Sequence, residues 1–377
     1  MEAIASGVLL SLHIHDLGYR AFSRNRRAVS PVPVNSIEEL LFAGQMFLFQ
    51  GIAGALYKLS MILKELFMGF RLANIDGRAS LVLKEHYYDI ETISGGELTS
   101  DLMLALGAAS NLSSLSGSLQ EHKPAGKLAD VQLGPPVPRP SNCYAIGLNY
   151  RKHAEESTLE IPPVPMVFTK HSNCITGPEG EIEMRSDFVD YEAELVVVIG
   201  EPGKDISPDV AWEHVVGLCV GQDISDRPVQ FSAGPPQFNL GKSFDTFGPI
   251  GPWLTSPDAL KDRNSMEIIC KVNDELRQKD NTSDLIFDIP TLISYLSEIV
   301  TLDTGDLIFT GTPDGVGAIP GNYLCDGDVL ITSIDGLGTL RNKCVRISDH
   351  SRAEVMPDAL AKLLTAARTK ASAKEEK

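Results

Sequence analysis

Two glutamates alternate with apolar residues in the segment 190–199, which reads Asp-Tyr-Glu-Ala-Glu-Leu-Val-Val-Val-Ile. Successive side chains of a strand point to opposite faces, so Glu192 and Glu194 share one face, about 6–7 Å apart. Carboxylates this close repel each other unless a positive charge lies between them, and Mg²⁺, Mn²⁺ and Ca²⁺ prefer such oxygen ligands. Asp223, after a second apolar run, offers a third carboxylate. The pattern alone also fits a half-exposed strand with its acidic side chains in solvent.

The composition is that of a soluble globular protein, and it excludes some partners. The chain has 377 residues, enough for about two domains, with 43% hydrophobic and 22% charged residues. Its formal net charge of −17 repels phosphate groups, so neither nucleic acid nor an anionic membrane is expected as a partner. The cysteines are widely spaced and form no Cys-x-x-Cys pair, which indicates reduced thiols inside a cell. We expect a cytoplasmic location, with a mitochondrial one as the alternative.

Residues 1–67 differ in character from the rest of the chain, and three interpretations of them stay open. Leu40–Tyr57 is a run of 18 residues without a charge, a borderline length for a membrane span. The arginines upstream of it are typical of a mitochondrial transit peptide, whereas the acidic residues nearby are not. We favour an extension upstream of a start at Met68, place a targeting segment second and a membrane anchor last.

From Met68 onward the pattern divides into a small domain and a larger one. Residues 68–130 are predicted to form a small N-terminal α/β domain, because two strand-like runs flank an Asp76-Gly77 turn and a short helix is expected at Ser100–Ala109. Prolines stiffen a linker at 131–141. The larger domain is predicted at 142–350, followed by a C-terminal helix or tail at 351–377.

The larger domain is predicted to be β-rich, in an α+β fold. Two segments, Asp209–Val216 and Pro290–Leu302, are predicted as helices. The many short strands favour a barrel, roll or sandwich, and the glycine-rich turn of a nucleotide-binding sheet is missing. The strand-like runs are Tyr144–Gly147, Met166–Thr169, Leu195–Ile199, Ile268–Val272, Leu307–Thr310 and Val329–Ile334.

Two further segments carry side chains suited to proton transfer and charge stabilisation. On a helix His153 and Glu156 stand three residues apart and face the same way, so the carboxylate can orient and polarise the imidazole as a general base. Such a pair is also common on solvated helices. Lys242 follows a glycine and precedes an aromatic run; it can hold an enolate oxygen, or it can lie as an ordinary lysine over the core.

Two other segments are candidates for substrate binding. Gly311 and Thr312 begin a glycine-rich loop at a strand end, where exposed backbone N–H groups and a hydroxyl can cradle a carboxylate; a plain turn fits equally well. Arg227 and Gln230 follow Asp223 by four and seven residues and can face the same cavity, the arginine pairing with a distal acidic group. Each can also be structural.

In this order the motifs resemble the fumarylacetoacetate hydrolase family over about residues 140–346. The small domain also resembles that of the bacterial-type members, whose usual beginning coincides with Met68. The blocks that carry the resemblance are Gly147-Leu-Asn-Tyr150 with His153 and Glu156, Asp190-Tyr-Glu-Ala-Glu-Leu195, Asp223 with Arg227, Gly241-Lys-Ser-Phe244, Lys271–Gln278, Gly305-Asp306 and Thr310–Gly317.

The resemblance implies a fold, a cofactor and roles for the candidate residues. Residues 142–350 become a catalytic domain with a mixed β-sandwich roll, in a protein expected to be a homodimer. One Mg²⁺ or Mn²⁺ per catalytic domain is expected on Glu192, Glu194 and Asp223. His153 and Glu156 are expected on a mobile lid as catalytic residues, together with Lys242. The resemblance carries Thr312 over as a substrate contact, and Gln230 matches only some members.

The function that the resemblance implies is metal-dependent hydrolysis of a C–C bond in a 2,4-dioxo acid, which gives pyruvate and a carboxylic acid. The run at 245–253 looks most like members that act on 2,4-dioxo-3-deoxy sugar acids. Three alternatives stay open: decarboxylation of oxaloacetate, isomerase or tautomerase activity on the same scaffold, and a catalytically silent metal-binding paralogue. For the hydrolase, the decarboxylase and the isomerase or tautomerase, the expected substrate is a small 2-oxo acid.

Overall fold

The structure, a computed structural model, describes residues 69–157 and 159–347 and the helical residues 358, 360–362 and 364–366. All of them belong to one compact unit, Ile62–Lys377. The predictions for residues 1–67, including the segment Leu40–Tyr57, lie outside the described residues. No helix within the described part of the chain is long and apolar enough to cross a bilayer.

Strands dominate the described chain, which confirms the prediction of a β-rich α+β fold. The strands are β1 Arg71–Ile75, β2 Arg78–Leu83, β3 His86–Asp89, β4 Gly126–Lys127, β5 Leu133–Gly134, β6 Cys143–Gly147, β7 Met166–Lys170, β8 Ile175–Thr176, β9 Ile182–Met184, β10 Val189–Asp190, β11 Ala193–Ile199, β12 Val215–Gln222, β13 Ser225–Asp226, β14 Gly248–Thr255, β15 Glu267–Val272, β16 Glu275–Asn281, β17 Leu307–Phe309, β18 Val329–Ile334 and β19 Gly338–Arg346. The α-helices are α1 Ile90–Ile93, α2 Leu102–Leu106, α3 Ala109–Ser118, α4 Arg151–Ser157, α5 Arg227–Gln230, α6 Phe238–Gly241 and α7 Ile289–Ile299.

The strands form one large mixed sheet, one smaller sheet and one short pair. The large sheet has 12 strands and runs β4-β3-β2-β1-β14-β12-β11-β17-β6-β7, with β5 paired to β1 and β8 to β14. The second sheet has 5 strands in the order β16-β15-β18-β19-β9, and β10 pairs with β13. The neighbours β11 and β12 lie inside the large sheet, so both are shielded from solvent.

The predicted N-terminal hairpin is present and extends the large sheet. Asp76 and Gly77 have φ angles of 52° and 80°, the left-handed conformations that a tight Asp-Gly turn between β1 and β2 requires. Strand β1 then pairs antiparallel with β14, with Leu72 opposite Leu254. The boundary between a domain at 68–130 and one at 142–350 stays a prediction about independent folding.

The two predicted helices and the short N-terminal one differ in detail from the structure. Helix α7 starts where Asp288 caps it by accepting from Thr291 N. The segment Asp209–Val216 is instead a 3₁₀ helix, Pro208–His214, followed by β12, because its last valines enter the core as strand residues. The expected helix Ser100–Ala109 is two helices, α2 and α3, separated at Gly107.

The core lies on both faces of β11, and this excludes the half-exposed strand. Leu195, Val197 and Ile199 pack into a cluster on one face. Val196 and Val198 pack into a second cluster on the other. Every residue of β11 is buried, including Glu194. A carboxylate in such a strand must be neutral, paired or bound to a cation.

Candidate active site

The antiparallel pairing of β11 with β12 brings three acidic side chains together. Glu192 directly precedes β11 and Asp223 directly follows β12, while Ala193 and Gln222 lie opposite each other in the register. The backbone N–H of Asp223 donates to the carbonyl of Glu192 over 2.9 Å. One ligand oxygen each from Glu192, Glu194 and Asp223 lies within 4.8 Å of the others, and all three residues are buried. The convergence predicted from the strand pattern is present.

Three buried cations contact this cluster, and two of them are lysines. Lys242 Nζ donates to Glu192 Oε2 over 2.8 Å and to Asp223 Oδ2 over 2.6 Å. Lys170 Nζ donates to Asp223 Oδ1 over 2.7 Å. Lys170 also donates to the backbone carbonyl of Lys242, which ties the two lysines together.

The third cation, Arg227, is held by the protein itself. Its Nε and Nη2 donate to Asp190 Oδ2 over 2.9 and 2.6 Å. Its Nη1 donates to Gln230 Oε1 over 2.9 Å, and its Nη2 also lies 2.7 Å from Glu192 Oε1. The guanidinium therefore already binds Asp190, Glu192 and Gln230. A substrate can contact only the N–H groups of Arg227 that these residues leave free.

The pKa values of two carboxyls in the cluster, those of Glu192 and Glu194, are shifted in opposite directions. Burial raises the pKa of Glu192, but the charges of Lys242 and Arg227 together outweigh burial and bring it to about 2. Burial and the adjacent charges of Asp223 and Glu192 hold the pKa of Glu194 well above its usual range. Within the described residues Glu194 makes no ion pair, and its carboxylate accepts from Gly311 N over 2.8 Å. Glu194 therefore keeps its proton to a higher pH than an ordinary glutamate, unless a cation takes the proton's place.

These observations fit a divalent metal. Three carboxylates offer the hard oxygen ligands that Mg²⁺ and Mn²⁺ prefer. The buried cations pair with Glu192 and Asp223, while the raised pKa of Glu194 reflects the repulsion that remains. Glu192, Glu194 and Asp223 are the residues that would hold the metal. Lys170 and Lys242 neutralise part of the negative charge of Glu192 and Asp223.

Two glutamines hold the backbone of this acidic strand, and neither is predicted from the sequence. Gln222 accepts from Glu192 N over 2.9 Å and donates to Thr332 Oγ1 over 2.7 Å. Gln278 accepts from Ala193 N over 3.0 Å. Through its amide nitrogen Gln278 also donates to Thr312 Oγ1 over 2.8 Å and to the carbonyl of Pro313 over 2.9 Å. The second sheet therefore fixes the position of the acidic strand.

Several N–H groups of the glycine-rich loop bind carboxylates of the protein itself. The N–H of Gly311 is one of them, because it donates to Glu194, and this corrects the prediction that Gly311 binds a substrate carboxylate. Thr312 lines the candidate active-site cavity. The donor–acceptor pairs are Gly311 N with Glu194 Oε2 at 2.8 Å, Gly315 N with both oxygens of Glu156 at 3.1 Å, Gly317 N with Asp190 Oδ1 at 2.7 Å, and Ala318 N with Asp190 Oδ2 at 3.0 Å.

The histidine–glutamate pair is formed on α4. His153 Nδ1 lies 2.8 Å from Glu156 Oε1, and Gly315 N fixes the carboxylate from the other side. With Nδ1 held by the carboxylate, proton exchange with a bound molecule falls to Nε2. The pair can therefore accept or donate a proton at one defined atom.

One cavity, of about 130 Å³, brings several of the predicted residues together. Three other predicted residues do not line the cavity. Glu156 lies 2.8 Å from His153 Nδ1, and Asp223 accepts from Lys242 Nζ over 2.6 Å. A carboxylate oxygen of Glu194 lies within 4.8 Å of one of Glu192. Much of the remaining lining is aromatic and aliphatic. The polar lining residues are His153, Glu192, Arg227, Gln230, Lys242 and Thr312, and the apolar ones include Phe168, Phe231, Phe238, Ile319, Leu360 and Leu364.

The sequence offers little signal for the functional residues that prediction missed. Lys170 ends a strand-like run and has the pattern of a surface residue, yet its side chain is fully buried. Asp190 belongs to the acidic motif but receives four hydrogen bonds from outside its own neighbourhood, including those of Arg227. Leu360 and Leu364 lie in the segment predicted as a C-terminal helix or tail, where nothing marks them as cavity residues.

The fold and the cavity together define a strand-rich α+β protein of the fumarylacetoacetate hydrolase type. The chain belongs to the fumarylacetoacetate hydrolase family: residues 142–345, more than half of the chain, match the family model described as "Fumarylacetoacetate (FAA) hydrolase C-terminal". This confirms the family predicted from the motifs. The family members to which this chain is similar include oxaloacetate tautomerases and a maleylpyruvate hydrolase, which are enzymes.

Two curated relatives and one solved structure illustrate the similarity. Oxaloacetate tautomerase YisK of Bacillus subtilis is 44% identical over 225 residues, which cover 57% of this chain and 74% of the relative. A bovine mitochondrial oxaloacetate tautomerase, FAHD2B, is 40% identical over 238 residues, covering 62% and 76%. The crystal structure of maleylpyruvate hydrolase from Sphingobium sp. SYK-6 with manganese(II) and pyruvate matches with a TM-score of 0.63, 30% identity, and 73% and 99% coverage.

Proposed function

We propose that this protein is a divalent-metal-dependent enzyme that interconverts the enol and keto forms of a small 2-oxo acid, with oxaloacetate as the first substrate to test. The observation that carries the proposal is the placement of His153 and Lys242 on one cavity with Glu192, which belongs to the cluster of three buried carboxylates. Relatives of 40–44% identity named as oxaloacetate tautomerases support the tautomerase over the hydrolase first expected from the motifs.

Each residue has a distinct part in this reaction. A bound Mg²⁺ or Mn²⁺ supplies a Lewis acid that stabilises negative charge on the oxygens of a 2-oxo acid. Lys242, buried and cationic, adds to that stabilisation where negative charge develops on the C2 oxygen. Going from enol to keto, the C2 hydroxyl gives its proton to water, and protonated His153 donates a proton from Nε2 to C3. The imidazole then takes a proton back from water, so no net proton is gained or lost. Glu156 orients the ring and balances the positive charge of the imidazolium.

Hydrolysis of a 2,4-dioxo acid is the second candidate, and a specific observation favours it. The same His153–Glu156 pair is able to take a proton from a water that attacks a carbonyl carbon, the step that hydrolysis needs and tautomerisation does not. The similar maleylpyruvate hydrolase structure, which holds manganese and pyruvate, adds support. Decarboxylation of oxaloacetate and the silent paralogue remain as outcomes of the test.

The test follows the enol of oxaloacetate by its ultraviolet absorbance with Mn²⁺-loaded protein, and then analyses the products. We expect faster loss of the enol without loss of total oxaloacetate. Carbon dioxide would identify a decarboxylase, and pyruvate with a carboxylic acid from an acylpyruvate would identify a hydrolase. No acceleration and no product with either substrate would refute an enzyme of this kind. The Glu155→Gln variant is the control for substitutions of His153 and Glu156, because Glu155 is exposed and lies on the same helix, α4.

The expected homodimer and the expected cellular location are also proposals. Light scattering on the purified chain tests the dimer directly. The bovine relative's name places that protein in mitochondria, which supports the mitochondrial alternative for this chain. A fusion of residues 1–67 to a fluorescent protein distinguishes mitochondrial import from the cytoplasmic location first expected.

A further inference from the structure

The C-terminal helical residues line the candidate active-site cavity. Leu360 and Leu364 are one helical turn apart, so they share a face, and they are 1% and 2% exposed. The described residues between and beside them, including Asp358 and Lys362, are exposed or half-buried. This helix is therefore amphipathic, and its apolar face lies against the cavity rather than solvent.

The apolar lining residues form one continuous group. Leu360 and Leu364 cluster with Ala318, and Phe231 and Ile319 pack against that cluster. The ring of Phe231 lies 5.9 Å from that of Phe238, which contacts Phe168 at 5.6 Å. Lys242 Nζ lies 5.0 Å from the centre of the Phe168 ring, where the apolar group meets the charged one.

The cations that line the described cavity already pair with carboxylates of the protein, so none is available to a second substrate carboxylate beside the apolar lining residues. Among the described residues that line the cavity, the permanent cations are Arg227 and Lys242. Arg227 pairs with Asp190 and Glu192, and Lys242 pairs with Glu192 and Asp223. A charged group placed against the leucines would lose its hydration without gaining a partner, which is unfavourable.

We propose that Leu360, Leu364 and Phe231 form an apolar subsite that receives an alkyl or aryl group beyond C4 of a 2-oxo acid, so that the substrate class includes monocarboxylic 2-oxo acids with apolar tails. This rests on the proposed function, since the carboxylate and oxo group must be held at the charged end. Oxaloacetate, which ends at C4, leaves the subsite unfilled.

The experiment measures the dissociation constants of three probes by calorimetry, using the full chain loaded with Mn²⁺. The probes are pyruvate, 5-methyl-2-oxohexanoate and 2-oxoglutarate, the last two differing by an isopropyl group in place of a carboxylate of similar shape. Each buried methylene adds about four-fold in affinity. With two of the four extra carbons buried, we expect 5-methyl-2-oxohexanoate to bind roughly 15-fold more tightly than pyruvate, and 2-oxoglutarate no more tightly than pyruvate.

Two variants assign the effect to the helix. Leu364→Ala removes contact area, and Leu364→Phe fills the subsite while keeping the helix apolar. Both are expected to reduce the advantage of 5-methyl-2-oxohexanoate at least five-fold, with the affinity for pyruvate unchanged. Leu104→Ala is the control, because Leu104 is 68% exposed and does not line the cavity.

Failure of the subsite and failure of the proposed function give different results. If pyruvate binds but the isopropyl probe gains nothing, or if both Leu364 variants keep the gain, the subsite proposal is overturned alone. If Mn²⁺-loaded protein binds none of the three acids, the proposed function is overturned and the subsite with it.

Discussion

Binding of Mn²⁺ to the metal-free protein is expected to release a proton, and Glu194 is its source. Burial and the charges of Asp223 and Glu192 raise the pKa of Glu194, so this carboxyl keeps its proton to a higher pH than an ordinary glutamate. A ligating carboxylate must give up its proton. Glu192, with a pKa of about 2 in the presence of Lys242 and Arg227, is already ionised and releases none.

The sign and size of the pH dependence follow from this proton. Below the pKa of Glu194 the metal competes with one proton, so affinity rises about ten-fold for each pH unit, or about 1.4 kcal/mol. Above that pKa no proton remains to be displaced, and the affinity levels off. Acid therefore weakens metal binding, and raising the pH strengthens it up to the plateau.

Calorimetry in two buffers of different ionisation enthalpy counts the protons released. Glu194→Gln keeps the shape of the side chain but carries no proton to lose, so its weaker binding is expected to show almost no pH slope. Glu155→Gln, an exposed substitution, is expected to match the wild type. A flat profile in the wild type, or an unchanged slope in Glu194→Gln, would refute the assignment of the proton to Glu194.

Three further predictions concern neighbouring residues. His153→Gln is expected to lower turnover by about 10²–10⁴-fold, as for a lost general base, with Mn²⁺ and pyruvate affinities unchanged in calorimetry; a wild-type rate would remove the pair from the mechanism. Lys242→Met is expected to destabilise the metal-free protein by about 3–5 kcal/mol in urea unfolding, because two buried carboxylates lose their cation, and Mn²⁺ is expected to recover part of the loss. Gln278→Leu leaves Ala193 N without its acceptor and is expected to cost about 1–3 kcal/mol and weaken Mn²⁺ binding; unchanged metal affinity would show that Gln278 does not position the acidic strand.

The acidic cluster was predictable because it depends on local periodicity. A strand repeats every two residues, so the alternation around Glu192 and Glu194 fixes which side chains share a face before any partner is known. Asp223 follows an apolar run of the right length to be the neighbouring strand, β12. The His153–Glu156 pair is equally local, since a helical spacing of three residues suffices.

The supporting residues were not predictable because their partners lie far away in the chain. Lys170 meets Asp223 across 53 residues, and Gln278 meets the backbone N–H of Ala193 across 85. A lysine or a glutamine at the end of a strand has the pattern of a surface residue, and only the tertiary fold decides that it is buried. The glycine-rich loop misled for the same reason, because its N–H groups bind carboxylates brought from distant elements.

The error at residues 208–216 has a different origin. Short apolar segments with a proline near the start fit a helix or the approach to a strand, and periodicity does not separate the two over so few residues. In the structure Pro208–His214 forms a 3₁₀ helix, and the β-branched Val215 and Val216 begin β12.

Anomalous diffraction from crystals soaked with Mn²⁺ and pyruvate tests the central claim most directly. We expect one manganese peak within about 2.5 Å of an oxygen of each of Glu192, Glu194 and Asp223, with pyruvate bound on the side of the cavity. A peak that contacts only one of the three carboxylates, or no peak between them while pyruvate binds elsewhere, would contradict that claim.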